Sequence, residues 1–391
     1  MAHLTDRRSA ETVSERRVLV VNTGSATLKA TVLDLPDIEP RFETTVDWHA
    51  DASDADRRAT LQTVLLEGER AGIAPSTIDL VGHRVVHGGE RFVEPVVIDE
   101  PILVELDGLA ALAPLHDPVA VAAIRAARSR LADIPHVAAF DTAFHASLPE
   151  AARRYPVPDA WGERHGVRRY GFHGLSVAWS VGRAAALLDR PVGELRLLVA
   201  HLGGGCSVTA VDGGRSVDTS MGLTPLEGLM MATRAGSIDP GIVFHLLRGG
   251  RAADEIERDL DHRSGLLGVG GTADMREVLA AAEVGDERAR LALELFARRA
   301  AAGIAAAATT LPSVDAIVFT GGIGEHATTV RRSICERLGI IGVPVGGDGD
   351  PGGGDQVLAS APRGPAVLRV HAREDVEIAR SGVAAVTVLG R

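Results

Sequence analysis

The first clear pattern along the chain is an apolar run, "RRVLVVN" over residues 16–22, which reads as a buried strand ending in a turn. After "NTGS" the pattern alternates strictly: Ala26, Leu28, Ala30 and Val32 fall on one face, and Thr27, Lys29, Thr31 and Leu33 on the other. This predicts strand–turn–strand. A Walker phosphate loop and a dinucleotide fingerprint both need a helix after the turn, so neither fits. The same figure returns at 197–212, "LLVAHLGGGCSVTAVD", and ends in a "DGG" hairpin turn. Aligning "LVVN" with "LVAH" sets Asn22 opposite His201, an offset of 179 residues. Two halves that open on the same hairpin predict a duplicated α/β domain with a cleft between the copies.

Helical periodicity follows the strands at 117–132, 176–189 and 286–310. "VDAIVFTGGIGEH" at 314–326 reads as another apolar strand ending in a Gly-rich turn. The segment 346–356, "GGDGDPGGGDQ", is loop by composition. The last residues, from "ARED" onward, read as a helix with acidic residues in its first turn. The Ala-rich stretch 298–313 is stopped by Pro312 and falls short of the roughly 20 apolar residues of a membrane span.

A chain of 391 residues exceeds what one core usually supports, which argues for about two domains. Aromatics make up only 3%, so the cores must be built from Ala, Val, Leu and Ile. The net charge of −11 argues against nucleic acid or an anionic membrane as the main partner. Two cysteines, Cys206 and Cys335, give neither a disulfide framework nor a zinc spacing, and point to a reducing compartment. The polar N-terminus does not read as a signal peptide, so the expected location is cytoplasmic. One oddity remains. Asn22 is the only asparagine and Lys29 the only lysine in the chain, seven positions apart in the first hairpin. Lys29 is either a residual surface group or one held in place by its chemistry.

Three Gly-rich turns follow apolar strands: "NTGS", "HLGGGCS" and "TGGIGEH". Glycine lets backbone N–H groups converge on an anion, and three such turns at one cleft favour nucleotide phosphates. "GGTADMREV" at 270–278 reads as a helix start capped by Thr272. Arg84 and Arg234 lie in Gly-rich, otherwise apolar stretches where an unpaired charge is costly, so both are candidates to clamp carboxylate or phosphate oxygens. Asp141 ends an apolar strand, and the simpler reading makes it the N-cap of a following helix. His173, in "RRYGFHGLS", and His116, in "LAPLHDP", sit in turns where a histidine is more often structural.

Taken together these stretches resemble the acetate kinase family of the actin-like, sugar-kinase and heat-shock ATPase superfamily. The resemblance runs from about residue 18 to 383. "DTSMGLTPLEGLMMATRAGSIDPG" and "FTGGIGE" carry it most specifically; "NTGSATLK", "HRVVHGGE", "LAPLHDP", "FDTAFH", "RYGFHG" and "HLGGG" follow in the family's order. It implies two duplicated actin-like, ribonuclease H-like domains, one over residues 1–150 and one over 151–374, with the last helix, about 375–391, packing back on the first. It implies ATP + acetate ⇌ ADP + acetyl phosphate, with Mg²⁺ or a substituting Mn²⁺, in a homodimer.

By motif, Arg84 binds the carboxylate, and Val86, Leu115, Phe172 and Pro225 form the pocket for the acyl methyl. Asp141, His173 and Arg234 act on the transferring phosphoryl group. Lys29, His201, Leu202, Gly203, Gly204, Gly205, Asp274, Met275, Arg276, Gly322, Ile323, Gly324, Glu325 and His326 line the nucleotide. Asn22 and Glu374 belong to the metal end, with Asp375 as the alternative acid. The chain departs from the family at Asp117, Gly204 and His326, usually Asn; at Leu175 and Val177, usually Thr and His; at Ala232, usually Gly; and at Ser237, usually Asp. Besides acetate, the resemblance leaves room for a propionate- or butyrate-preferring kinase or a catalytically weakened nucleotide-binding relative.

Overall fold

The computed structural model describes residues 15–24, 27–48, 52–111, 113, 117–345 and 354–389. Leu115 and His116 lie outside these, as does most of the 346–356 loop. The strands are β1 (Arg16–Thr23), β2 (Thr27–Leu35), β3 (Pro40–Asp47), β4 (Leu80–Val85), β5 (Val96–Val97), β6 (His136–Phe140), β7 (Arg196–Leu202), β8 (Cys206–Asp212), β9 (Arg215–Thr219), β10 (Ala316–Thr320), β11 (Gln356–Ala361) and β12 (Gly364–Arg369). The helices of the first half are α1 (Asp54–Arg70), α2 (Glu100–Gly108) and α3 (Asp117–Arg130), followed by α4 (Glu150–Arg153), α5 (Asp159–His165) and α6 (Gly174–Leu188). Those of the second are α7 (Pro240–Arg248), α8 (Ala253–His262), α9 (Gly265–Gly270), α10 (Met275–Glu283), α11 (Glu287–Ala308), α12 (Gly321–His326), α13 (Thr328–Arg337) and α14 (Glu374–Leu389).

The duplication expected from the hairpins is present strand for strand. One sheet runs β3-β2-β1-β4-β6-β5 and the other β9-β8-β7-β10-β12-β11 in the matching sense. In each, the opening hairpin is antiparallel, the next two pairings are parallel, and the far edge strand is antiparallel. Asn22 pairs with Lys29 across the first hairpin, and His201 with Ser207 across the second.

The alternation in β2 holds only in part. Leu28, Ala30 and Val32 are buried as expected, but Thr31 and Leu33 on the other face are buried too. That face is covered by α14, which packs on β1, β2, β4 and β6 of the first sheet. Gly82 on β4 permits the approach: a Cβ there would stand 2.7 Å from Ile378 Cγ2. Helices α6 and α14 lie in one apolar cluster with Val18 and Val20 of β1 and with Leu197 and Val199 of β7, so a shared core joins the two sheets. The second sheet packs its other face on α11, whose buried Ala289, Ala292, Phe296, Ala300 and Ile304 recur at helical spacing. No helix among the described residues is long and apolar enough to cross a membrane.

Two local expectations are corrected. "TGGIGEH" is not an open turn: after Thr320 the chain enters α12 directly, with Gly321 at φ +76° making the bend. The helix after "GGTAD" is capped by Asp274, whose side chain accepts from the Arg276 N–H at 2.8 Å, while Thr272 bonds to the Asp274 N–H and to Glu277.

Candidate active site

Parallel α/β sheets gather ligand-binding groups at the carboxyl ends of their strands. In the first sheet the parallel strands β1, β4 and β6 are neighbours, and their ends deliver Asn22, Arg84 and Asp141. Asp141 caps no helix. Only a short 3₁₀ turn at 143–147 follows, with no side-chain cap, and the Asp141 carboxylate takes both Arg84 Nε (3.1 Å) and Arg84 Nη2 (2.5 Å). Arg84 Nη1 donates to Asn22 Oδ1 at 3.4 Å, and Asn22 Nδ2 donates to Glu374 Oε2 at 3.2 Å. Glu374 Oε2 also lies 3.7 Å from Arg84 Nε. Of the two acids near the C-terminus, Glu374 joins this cluster, whereas Asp375 is engaged by Arg373 at 2.9 Å.

Burial works against the Arg84 charge, but Asp141 and Glu374 together outweigh it and raise its pKa. Burial pushes the Asp141 carboxyl up, opposed by Arg84 and helped by Glu374. Because the guanidinium stays charged in any ordinary pH range, the pair is a fixed bidentate clamp.

The second sheet repeats the arrangement with glycines. Strand β7 ends in His201 and Leu202 before Gly203–Gly205, and β10 ends in Thr320 before α12. Between them opens a groove of about 760 Å³, lined by Gly203, Gly204, Asp274, Met275, Arg276, Gly322, Ile323 and His326 with Ala232, Ala273, Leu279 and Ala327. Its side-chain floor is apolar, and Gly204 and Gly322 let the backbone be approached without a Cβ in the way, which suits a heteroaromatic base followed by phosphates. A Cβ on Gly204 would meet nothing within 4 Å, so the missing asparagine leaves free space.

Other sequence candidates stand elsewhere. Leu202 is fully buried. Gly324 packs beneath the strand ends, where a Cβ would lie 3.6 Å from Leu202. Lys29 shares the face of Asn22 and extends to Glu43, Nζ–Oε2 2.9 Å, with its side chain 47% exposed. Glu325 is buried, and its carboxylate binds His371 and the Ala372 N–H rather than the groove.

His173 is the N-cap of α6 and holds a left-handed φ of +60°, uncommon for a non-glycine residue. Its ring stacks on His201 at 4.1 Å, and Nδ1 is hydrogen-bonded to Ser207 Oγ at 3.0 Å. His201 Nδ1 is bonded in turn to Ser176 Oγ at 2.8 Å. Gly205 is where His173 and Arg234 converge: a Cβ there would stand 3.0 Å from His173 Nε2 and 3.7 Å from Arg234 Nη1. Burial, with His201, Arg84 and Arg234 adding to it, pushes the His173 pKa well below its usual value, so the ring is neutral at pH 7. Burial likewise lowers His201. Arg234 is lowered by burial and supported by Asp261 at 3.7 Å, and remains a cation.

Val86 and Phe172 are buried in one apolar cluster, with the His87 ring edge-on to Phe172 at 5.5 Å. Pro225 is half-buried in the loop after β9, and Leu115 lies outside the described residues. Asp117, at the start of α3, is 1% exposed; one oxygen accepts from the His87 N–H at 3.1 Å and the other has no hydrogen-bond partner among the described residues. Burial raises its pKa to about 8.

The metal-ligating atoms this cluster can offer are oxygens: the carboxylates of Glu374 and Asp141 and the Asn22 amide carbonyl, which here accepts from Arg84. That set suits a hard divalent cation, with phosphate oxygens and water completing its shell. No cluster of three or more His, Cys, Asp or Glu among the described residues forms a cage on its own.

A family model described as the acetokinase family matches residues 17–380. The acetate kinase of Deinococcus radiodurans is 50% identical over 337 residues, spanning 85% of this chain and 84% of its own. The crystal structure of the Porphyromonas gingivalis acetate kinase superposes with a TM-score of 0.86 at 32% identity, covering 95% of this chain and all of that one. A propionate kinase from Francisella tularensis superposes with a TM-score of 0.83 at 34% identity, covering 94% and 98%.

Proposed function

The chain belongs to the acetokinase family, and on that premise we propose that it transfers the γ-phosphoryl group of ATP to acetate, giving ADP and acetyl phosphate. The observation that carries this is the clamp: a partly buried Arg84 locked by Asp141 at the strand ends of one sheet, with neutral His173 and cationic Arg234 beside the glycine groove of the other.

A carboxylate is ionised at neutral pH, so the nucleophile needs no base. The difficulty is to bring one anion against another. Arg84 binds and orients the acetate, its methyl towards Val86, Phe172 and Pro225. Groove residues hold the base and sugar, the Gly203–Gly205 turn faces the phosphates, and Lys29, on the face of Asn22, gives up its exposed pair with Glu43 to meet them. A carboxylate oxygen forms the new bond to the γ-phosphorus while the bond to the β–γ bridging oxygen breaks, and ADP leaves with that electron pair. His173, tied to Ser207 through Nδ1, presents Nε2 to the transferring group as a hydrogen-bond donor without adding charge. Arg234 supplies positive charge where it develops. Mg²⁺, or Mn²⁺ in its place, would be held by Asn22 and Glu374 and would neutralise phosphate charge.

The domains are taken as 1–150 and 151–374, with α14 returning to the first. Helix α7 exposes Ile242, Phe244 and Leu247 and buries no residue, which supports a homodimer. Two buried free cysteines support a reducing cytoplasm.

The Francisella neighbour favours one second reading, propionate as the preferred acid. One methylene is worth only about 1–3 kcal/mol, so the two acids should differ modestly. A hydroxamate assay with ATP, Mg²⁺ and a panel of carboxylates tests both. Acetate or propionate should lead and excess chelator should abolish turnover. Preference for a hexose or glycerol over every carboxylate would refute the reading, and full turnover in chelator would refute the metal assignment.

A further inference from the structure

Within "TGGIGEH", Glu325 turns its carboxylate away from the groove lining. It sits near the end of α12, 6% exposed, beside groove-lining His326 and two residues after Ile323. Both oxygens are used. His371 Nδ1 donates to Oε2, and the Ala372 N–H donates to Oε1 at 3.0 Å. Residues 370–373 are the connection from β12 into α14, and α14 begins at Glu374. The same connection is held by further bonds, among them Arg373 to Ile38 O and to Asp375. The Val370 N–H donates to Phe319 O at 2.9 Å, the His371 N–H to Asp355 Oδ1 at 2.8 Å, and Trp179 Nε1 to His371 O at 2.8 Å. Of these anchors only Glu325 belongs to the helix that lines the groove.

We propose that Glu325 is a positioning residue, which ties the groove helix to the start of α14 and so sets where the Glu374 carboxylate stands against Asn22 and Arg84. The proposal rests on the kinase reading above for its functional consequence, but not for its structural one. A carboxylate is suited to the task because it accepts two donors at a fixed spacing, one from a ring and one from the backbone. Movement of α12 as the groove fills is passed through His371 and Ala372, three and two residues before Glu374. Glu325 is not among the residues that line the groove, so its loss should not resemble loss of a nucleotide contact.

The test compares wild type, Glu325→Ala and Glu325→Gln. Hydrogen–deuterium exchange over residues 370–376 is followed with and without ADP, alongside the Mg²⁺ dependence of acyl-phosphate formation. The wild-type segment should be protected and gain protection with ADP. In Glu325→Ala, exchange there should rise at least tenfold and lose its response to ADP. The Mg²⁺ concentration for half-maximal rate should rise about tenfold, while the acetate KM stays within about twofold. Glu325→Gln keeps a carbonyl for the Ala372 N–H but loses the acceptor for His371, so it should show both effects at a smaller size, about threefold.

Wild-type exchange and an unchanged Mg²⁺ requirement in Glu325→Ala would overturn the proposal. So would a raised ATP KM with unaltered exchange at 370–376, which marks a plain nucleotide contact. If Glu325→Ala does not fold, Glu325→Gln decides alone: a wild-type acetate KM with a measurably raised Mg²⁺ requirement supports the tie, and no change in either refutes it. Should the wild type make no acyl phosphate, the kinase reading fails, while the exchange comparison without ligand still upholds or refutes the tie.

Discussion

Asp117 is the departure with the largest calculable consequence. The residue is 1% exposed, one carboxyl oxygen has no hydrogen-bond partner among the described residues, and burial lifts its pKa from 3.8 to about 8. The sign follows from linkage. The folded state holds a proton that the unfolded state gives up above pH 4, so the group lowers stability progressively as pH rises from about 4 to 8, and the loss levels off beyond that. Between 3.8 and pH 7 lie about three pH units at about 1.4 kcal/mol each, or about 4 kcal/mol. Asp117→Asn removes the ionisation, and its amide oxygen can still accept from the His87 N–H. Against that gain stands a new buried amide N–H₂ with no assured partner, costing about 1–3 kcal/mol. The net expectation at pH 7 is about 1–3 kcal/mol of stabilisation, shrinking towards zero or reversing at pH 5. Guanidinium denaturation read by tryptophan fluorescence at pH 5, 6, 7 and 8 measures it, with Trp48 buried in the core of the same sheet. A variant equally or less stable at every pH, or a difference that does not grow with pH, would refute the reasoning.

Three further outcomes are expected. Arg84→Ala should raise the acetate KM. It should also destabilise the fold by about 3–5 kcal/mol, because it leaves Asp141 buried without its partner; steady-state kinetics and a melting curve check both. Arg234→Ala should lower kcat by about a hundredfold or more with little change in the acetate KM. Lys29→Arg should leave melting unchanged, since the exposed pair with Glu43 contributes at most about 1 kcal/mol. It should lower kcat/KM at least about tenfold, because a planar guanidinium cannot take the place of a compact ammonium among phosphate oxygens; normal activity would make Lys29 a residual surface group.

What the sequence disclosed follows the range of the interactions. Both hairpins, the repeat that relates them and the helices at 117–132, 176–189 and 286–310 are written in local periodicity, and the two sheets carry that duplication through every strand. Asp141 looked like a helix cap because its partner Arg84 is 57 residues away and belongs to a different strand. Glu374 and Asp375 are indistinguishable by local pattern; they separate only because α14 starts beside Asn22, 352 residues earlier in the chain. The covered second face of β2 has the same origin, since the covering helix comes from the far end of the chain. Glu325 carried a motif signal but not its direction, which depends on His371 and Ala372 arriving from β12. Asp117 did stand out, as an acid where the family has an amide, but only its burial shows what that acid costs.

The central claim is direct phosphoryl transfer to a carboxylate held at Arg84. Phosphorus-31 NMR of the purified protein with ATP, Mg²⁺ and acetate tests it most directly. The account predicts that an acyl-phosphate resonance grows in step with ADP. Formation of ADP with inorganic phosphate alone, or of a phosphorylated alcohol and no acyl phosphate, would contradict it.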